Sequence, residues 1–254
     1  MDSRARHKIP TTEVGVERAL ALGLDVSHPI LSKATRYLVG LLEGPLADFP
    51  DPPEKNDRWA TGARLFTAAA LALVQPDRPI LDDVWNLWLS IAQRTFAAGR
   101  YDAGAEIQAH RELTGATVRG SCLVLSGRHQ LALLSSRPDD LPRDLEKALL
   151  DWVWHKEGGI GYLGVRLFSP DGYLDTCRLD CWLASLELLS GFPGWREQAE
   201  DAIRWLWDRR TPEGLWDFGP QTSVRLSETW RKGLARQFDW TTRVLALLRN
   251  YYTG

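Results

Sequence analysis

The chain has 254 residues, 44% hydrophobic and 25% charged, with a formal net charge of −2. Those proportions describe a globular protein able to bury a core. They exclude the basic footprint of a nucleic-acid-binding domain and the polybasic patch of a membrane-surface protein, and the longest apolar run, 65–74, is far too short to cross a bilayer as a helix.

Three cysteines, Cys122, Cys177 and Cys181, are an odd number in a chain that opens without a secretory leader pattern, so a disulfide framework is not expected and a reducing cytoplasm is. Twelve tryptophans against one methionine is the unusual entry in the composition. Large rigid aromatics line either a core or a ligand cavity, and their placement decides which.

Helical periodicity runs through the chain, and no segment shows the alternation of a half-buried strand. Residues 1–9 are polar and basic and read as a frayed terminus; a first helix is expected over 12–24, with Thr11 or Thr12 as its N-cap after Pro10. Residues 1–27 then form an N-terminal arm and helix, and 28–254 one repeat domain. His28-Pro29 opens a helix to about 43, which Gly44-Pro45 stops. A Pro- and Asp-rich loop leads to a helix over 57–74. Next come 80–98 and 119–135, joined by a segment with room for a short helix at 103–113. The last two pairs are 143–156 with 175–189, and 195–209 with 236–252. In each pair the second helix is the more apolar: Phe66 to Leu73 and Val244 to Leu248 carry no charge, whereas 196–201 carries four. A helix apolar nearly all round is buried and one with a charged face lies outside. The pattern predicts inner and outer layers of helices.

The last two pairs repeat one another. Trp152-Val153-Trp154, Glu157-Gly158-Gly159 and Asp180-Cys181-Trp182 recur as Trp205-Leu206-Trp207, Glu213-Gly214-Leu215 and Asp239-Trp240-Thr241, at offsets of 53 (152 to 205), 56 (157 to 213) and 59 (180 to 239). A unit of constant order and lengthening loops is a structural repeat that buries its apolar face only by stacking on a neighbour.

The run from Trp205 to Pro220, a helix end followed by Glu213-Gly214-Leu215-Trp216-Asp217-Phe218, resembles the repeat of the terpenoid cyclases and protein prenyltransferases. The resemblance covers 141–252 clearly and 30–135 by hairpin rhythm alone. It implies an all-α fold, an α/α toroid or open arc of about four to five hairpins. In that superfamily an outer helix ends in a Gly-aromatic turn and an inner helix carrying an acidic residue follows. Gly158, Gly159 and Gly214 suit the positive φ of such a turn, and Tyr162 or Trp216 can wedge against the next hairpin.

The chemistry of the superfamily is only partly represented. The chain has no Asp-x-Asp-Asp cyclase motif. Asp82-Asp83-Val84-Trp85-Asn86 approaches the diphosphate-binding pattern, but its acids follow Pro79 at a helix start, where they complement the macrodipole. Asp175-Thr176-Cys177 has the spacing of a prenyltransferase zinc pair, yet Trp240 occupies the place of the expected histidine; His129, His155 or an aspartate would have to complete the set. No cofactor is expected, with zinc on Asp175 and Cys177 as the alternative. His129 lies on an inner apolar helix, and Asp180 and Asp239 stand at equivalent repeat positions where an unpaired carboxylate would be costly. Arg178, Arg236 and Arg243 are the near partners.

The expected function is binding of an apolar, isoprenoid-like ligand in an aromatic-lined axial cavity. Asp175, Asp180, Asp239 and His129 are the catalytic candidates there, and Trp182, Trp240, Tyr162 and Trp216 the ligand contacts. Two alternatives stay open: a non-catalytic binding scaffold, and a carbohydrate-active α/α barrel using two of Asp175, Asp180, Asp217 and Asp239 as acid and base. Whether the chain is an enzyme is undecided by the sequence. Nucleic acid is not an expected partner; a small apolar or carbohydrate ligand is, and an oligomer is compatible.

Overall fold

The computed structural model describes residues 5–44, 56–115, 123–168, 170–219, 226 and 233–253, with side chains from Thr12 and from Gly62 onward in the helices that begin at Ala5 and Asn56. Among the described residues the protein is all-α, with ten α-helices and no strand, as the missing period-2 alternation predicts. Two compact units emerge, Met1–Leu149 and Leu150–Gly254, with the division inside one helix.

The first unit holds α1 (Ala5–Ala21), α2 (Pro29–Glu43), α3 (Asn56–Ala72), α4 (Asp82–Thr95), α5 (Ala103–Thr114), α6 (Arg128–Ser135) and the start of α7 (Arg143–His155). Helix α1 begins at Ala5, so 5–9 are helical rather than frayed and Thr11 and Thr12 lie inside the helix. Pro10 in its second turn forfeits one amide bond without ending it. Val16 and Ala19 of α1 share a buried cluster with Leu31 and Val74. His28 caps α2 by accepting the Ile30 amide on Nδ1 at 3.3 Å.

Helix α3 is deeply buried: from Ala63 to Ala72 only Arg64 and Phe66 escape full burial, and Thr67 hides its hydroxyl by donating to the Ala63 carbonyl at 2.8 Å. It packs on α2 and α6, while α4 packs on α5. Asp82 and Asp83 stand in the first turn of α4, where Asp82 pairs with Arg137 at 2.8 Å and Asp83 faces Arg64 at 3.9 Å. The first-turn charge placement expected of them is met, but neither caps the helix: Leu81 is the N-cap, with no side-chain capping bond. Asp102 caps α5 by accepting the Gly104 and Ala105 amides at 2.7 and 3.0 Å, and Gly115 closes it in the left-handed conformation. Helix α6 is shorter than the 119–135 expected: 123–127 form a turn ending in extended Gly127, and 116–122, with Cys122, lie outside the described residues.

The second unit contains the end of α7, then α8 (Arg178–Leu189), α9 (Trp195–Asp208) and α10 (Gly233–Thr253). Helix α8 starts three residues later than expected. A 3₁₀ turn, Pro170–Tyr173, precedes it, and Asp175 sits at φ 58, a left-handed conformation that cannot continue into a right-handed helix. Helix α9 is amphipathic as an outer helix should be, burying Trp195, Ala199, Ala202, Ile203 and Leu206.

Helix α10 departs from the all-round burial expected of an inner helix. It buries Trp240, Thr241, Arg243, Val244, Leu247 and Leu248 but exposes Leu234, Phe238, Leu245 and Tyr252. Of the turn glycines, Gly159 and Gly214 do adopt positive φ, at 60 and 84, whereas Gly158 does not. A Cβ on Gly159 would lie 1.9 Å from the Val165 carbonyl oxygen, so this turn admits glycine alone without displacing backbone.

Candidate functional site

The best-defined polar cluster of the second unit joins α8 to α10. Arg243 reaches across to the Asp180 carboxylate through Nη1, while its Nε and Nη2 donate to Glu187 at 2.8 and 2.7 Å. Burial works against the arginine charge, but Glu187 and Asp180 together hold the Arg243 pKa above its ordinary value. The guanidinium also lies 5.4 Å from the Trp240 ring centroid, so an aromatic face covers the pair. Asp180 thus meets one of the three arginines its sequence neighbourhood offered.

Around this cluster the aromatic residues pack on one another. Trp182 meets Trp205 edge-on at 5.1 Å, Trp205 stacks on Phe218 at 5.8 Å, and Phe218 meets Trp240 edge-on at 4.9 Å. Trp182 and Trp240 are both 0% exposed and Trp216 is 1% exposed. Trp182 donates its indole N–H to the Leu167 carbonyl at 3.0 Å, and Trp216 donates to Leu206 at 2.6 Å. These rings and their directed hydrogen bonds build the interior of this unit. The outer Trp205 does surface work as well: Nε1 donates to Asp171 at 2.8 Å, and Arg209 lies over its ring at 4.1 Å.

Of the remaining candidates, Asp217 and Asp175 both reach Gly219, whose amide donates to Asp217 Oδ1 at 3.1 Å. Asp217 is held bidentately by Arg236, with both bonds 2.7 Å, and the Arg236 hydrogen bond lowers the carboxyl pKa. Asp239 is half-buried on α10, one residue before Trp240. Asp175 is exposed and lies so close over Gly219 that a Cβ there would sit 1.8 Å from Oδ1; Gly219 itself has φ 94. Tyr162 is exposed and held at φ 70. Cys177 is exposed at the head of α8, and His155 is exposed, with Nδ1 2.9 Å from the Asp151 carbonyl. Among the described residues no three His, Cys, Asp or Glu side chains converge where a metal ion could sit.

His129 belongs to the first unit. Its Nε2 is 3.1 Å from Glu13 Oε1, its ring packs on Phe66 at 4.2 Å, and the neighbouring Arg128 pairs with Glu13 at 3.2 Å and with Glu17. The arrangement fastens α1 to α6.

A second buried polar group went unread in the sequence. On α5, Glu106 accepts the Tyr101 hydroxyl at 2.6 Å and the Leu125 amide at 2.6 Å, and His110 Nε2 stands 3.9 Å away. Among the described residues His110 Nε2 and Trp88 Nε1 find no hydrogen-bond partner, and the Trp88 and His110 rings meet edge-on at 5.3 Å. Burial first, then the bond to Glu106, pushes the Tyr101 phenol above its usual range. The available signal was Glu106, Ala109 and His110, one buried face at helical spacing within 103–113.

The described residues form an all-α protein in which Glu13, Asp180, Glu187 and Asp217 face arginines and Glu106 accepts a backbone amide. The chain matches no protein-family model, and it matches neither a curated protein nor a solved structure.

Proposed function

We propose that the chain is a non-catalytic α/α-hairpin binding scaffold, a toroid or open arc sharing the repeat of the cyclases and prenyltransferases, working in a reducing cytoplasm. One observation carries this reading: Asp180 and Asp217, two of the candidate acids, each face a guanidinium. Asp217, whose pKa the Arg236 hydrogen bond lowers, is a poor proton donor, and both alkene protonation and glycoside hydrolysis need a donor. The buried tryptophans support the same reading, since they fill the interior with ring-to-ring contacts.

The test is an assay of purified protein against linear isoprenoids, prenyl diphosphates and oligosaccharides, run beside Asp239→Asn and Trp240→Ala. The scaffold reading expects no turnover and a lower melting temperature for Trp240→Ala. Turnover that Asp239→Asn abolishes without moving the melting temperature would overturn it.

A second reading, an isoprenoid-binding protein, is favoured by Tyr162. A bulky residue held at positive φ with its ring exposed stores strain of about 1–3 kcal/mol, the kind of cost that persists at ligand clamps. Phe168 of the same connection is exposed too. A melting shift with a long-chain isoprenoid alcohol, lost in Tyr162→Ser, would select this reading over the scaffold.

A further inference from the structure

Cys177 and Cys181 stand one helical turn apart at the head of α8. Cys177 is the N-cap residue with φ −63 and ψ −13, so a helical path runs through both positions and their side chains share a face. Cys177 is exposed and Cys181 half-buried, and neither is part of a disulfide.

The spacing decides what chemistry this pair supports. Side chains four residues apart in a helix place their Cβ atoms about 5–6 Å apart, wider than the roughly 3.5–4.5 Å of a disulfide. Two metal–sulfur bonds of about 2.3 Å span that gap without unwinding the turn. Zinc is a poor occupant, because a structural zinc site takes four ligands and no third His, Cys, Asp or Glu joins the pair among the described residues. A soft ion satisfied by two sulfurs fits, and thiolates select monovalent copper.

We propose that Cys177 and Cys181 form a two-sulfur clamp for Cu(I). Binding exchanges two thiol protons for one Cu(I), forming two Cu–S bonds and releasing both protons to solvent, so the centre carries one negative charge and no electron is transferred. The first-turn amides of α8 direct positive potential at this centre, and Arg178 lies between the cysteines in sequence, its guanidinium donating to the Gly164 carbonyl at 2.9 Å and lying 5.1 Å from the Tyr173 ring centroid.

The experiment is competition for Cu(I) against bicinchoninate, anaerobically, with the full chain and its single-cysteine variants. The clamp expects one Cu(I) withdrawn per chain, retention in Cys122→Ser, and loss in both Cys177→Ser and Cys181→Ser, with circular dichroism unchanged. X-ray absorption should show two sulfur neighbours. Failure to withdraw copper, binding unaffected by Cys177→Ser, loss in Cys122→Ser, or one ion per two chains each overturns the proposal. Should Cys181→Ser not fold, the exposed Cys177→Ser still decides.

Discussion

Arg243 and Asp180 form an ion pair between α10 and α8 with side chains only 5% and 3% exposed. Each charge is tolerable there because the other is present, and Glu187 at the more exposed end completes the guanidinium's bonds. Arg243→Met leaves Asp180 buried without its cation and should destabilise the protein by about 3–5 kcal/mol. The double change Asp180→Leu with Arg243→Met should recover much of that loss, and Glu187→Gln alone should cost about 1 kcal/mol or less. Urea denaturation with an unchanged m-value checks all three; additive losses in the double variant would refute the coupling.

Asp217 and Arg236 give the acid side of the stability profile. The folded-state pKa of Asp217 lies below its unfolded value, mainly through the Arg236 hydrogen bond. The folded chain therefore releases this proton more readily, and the resulting stability is complete above about pH 3.9, the unperturbed aspartate value. It is lost as pH falls through the lowered folded value. Asp217→Asn should flatten that part of the acid-unfolding curve, and an unchanged curve counts against the pairing.

Tyr101 governs the alkaline side. Burial and the Glu106 carboxylate raise its pKa, so the folded protein holds a proton that the unfolded chain loses near pH 10. Stability should decline as pH rises past that point, because the native state then binds more protons than the unfolded one. Tyr101→Phe should remove this decline and cost about 1–3 kcal/mol at neutral pH by leaving one Glu106 oxygen unpaired. Thermal melts between pH 8 and 11, as a rough window around the unperturbed phenol, decide the matter.

Gly159→Ala tests the turn between α7 and α8. The new methyl would meet the Val165 carbonyl oxygen at 1.9 Å on a backbone already at φ 60. Gly23→Ala serves as control, since φ there is 76 with nothing within 4 Å. The control should cost about 1–2 kcal/mol from the left-handed conformation alone, and Gly159→Ala clearly more. Equal melting temperatures would show that the 159–165 turn yields.

Much of the fold follows from local pattern. The 3.6-residue spacing of apolar residues in 29–43 and 195–208, punctuated by His28-Pro29, Gly44-Pro45 and the turn glycine Gly214, marks α2 and α9 to within a residue, because helix formation is decided by neighbours along the chain. Asp102 before α5 acts the same way, through amides two and three residues on. The exclusion of strands belongs here too.

What packing decided lies at longer range. Helix α1 extends back to Ala5 while Val16 and Ala19 find Leu31 and Val74, and α8 waits until Arg178 because Asp175 is turned over Gly219, 44 positions away by number (175 to 219). The sequence named Arg178, Arg236 and Arg243 as possible partners of Asp180, but the choice of Arg243, 63 residues distant, needed α10 docked on α8. Glu106 likewise looks like an ordinary surface glutamate until Tyr101 and the Leu125 amide close on it. Periodicity states which face of a helix is apolar. It carries no information about which distant side chain that face will meet, and the charge state and burial of every candidate residue depend on that meeting.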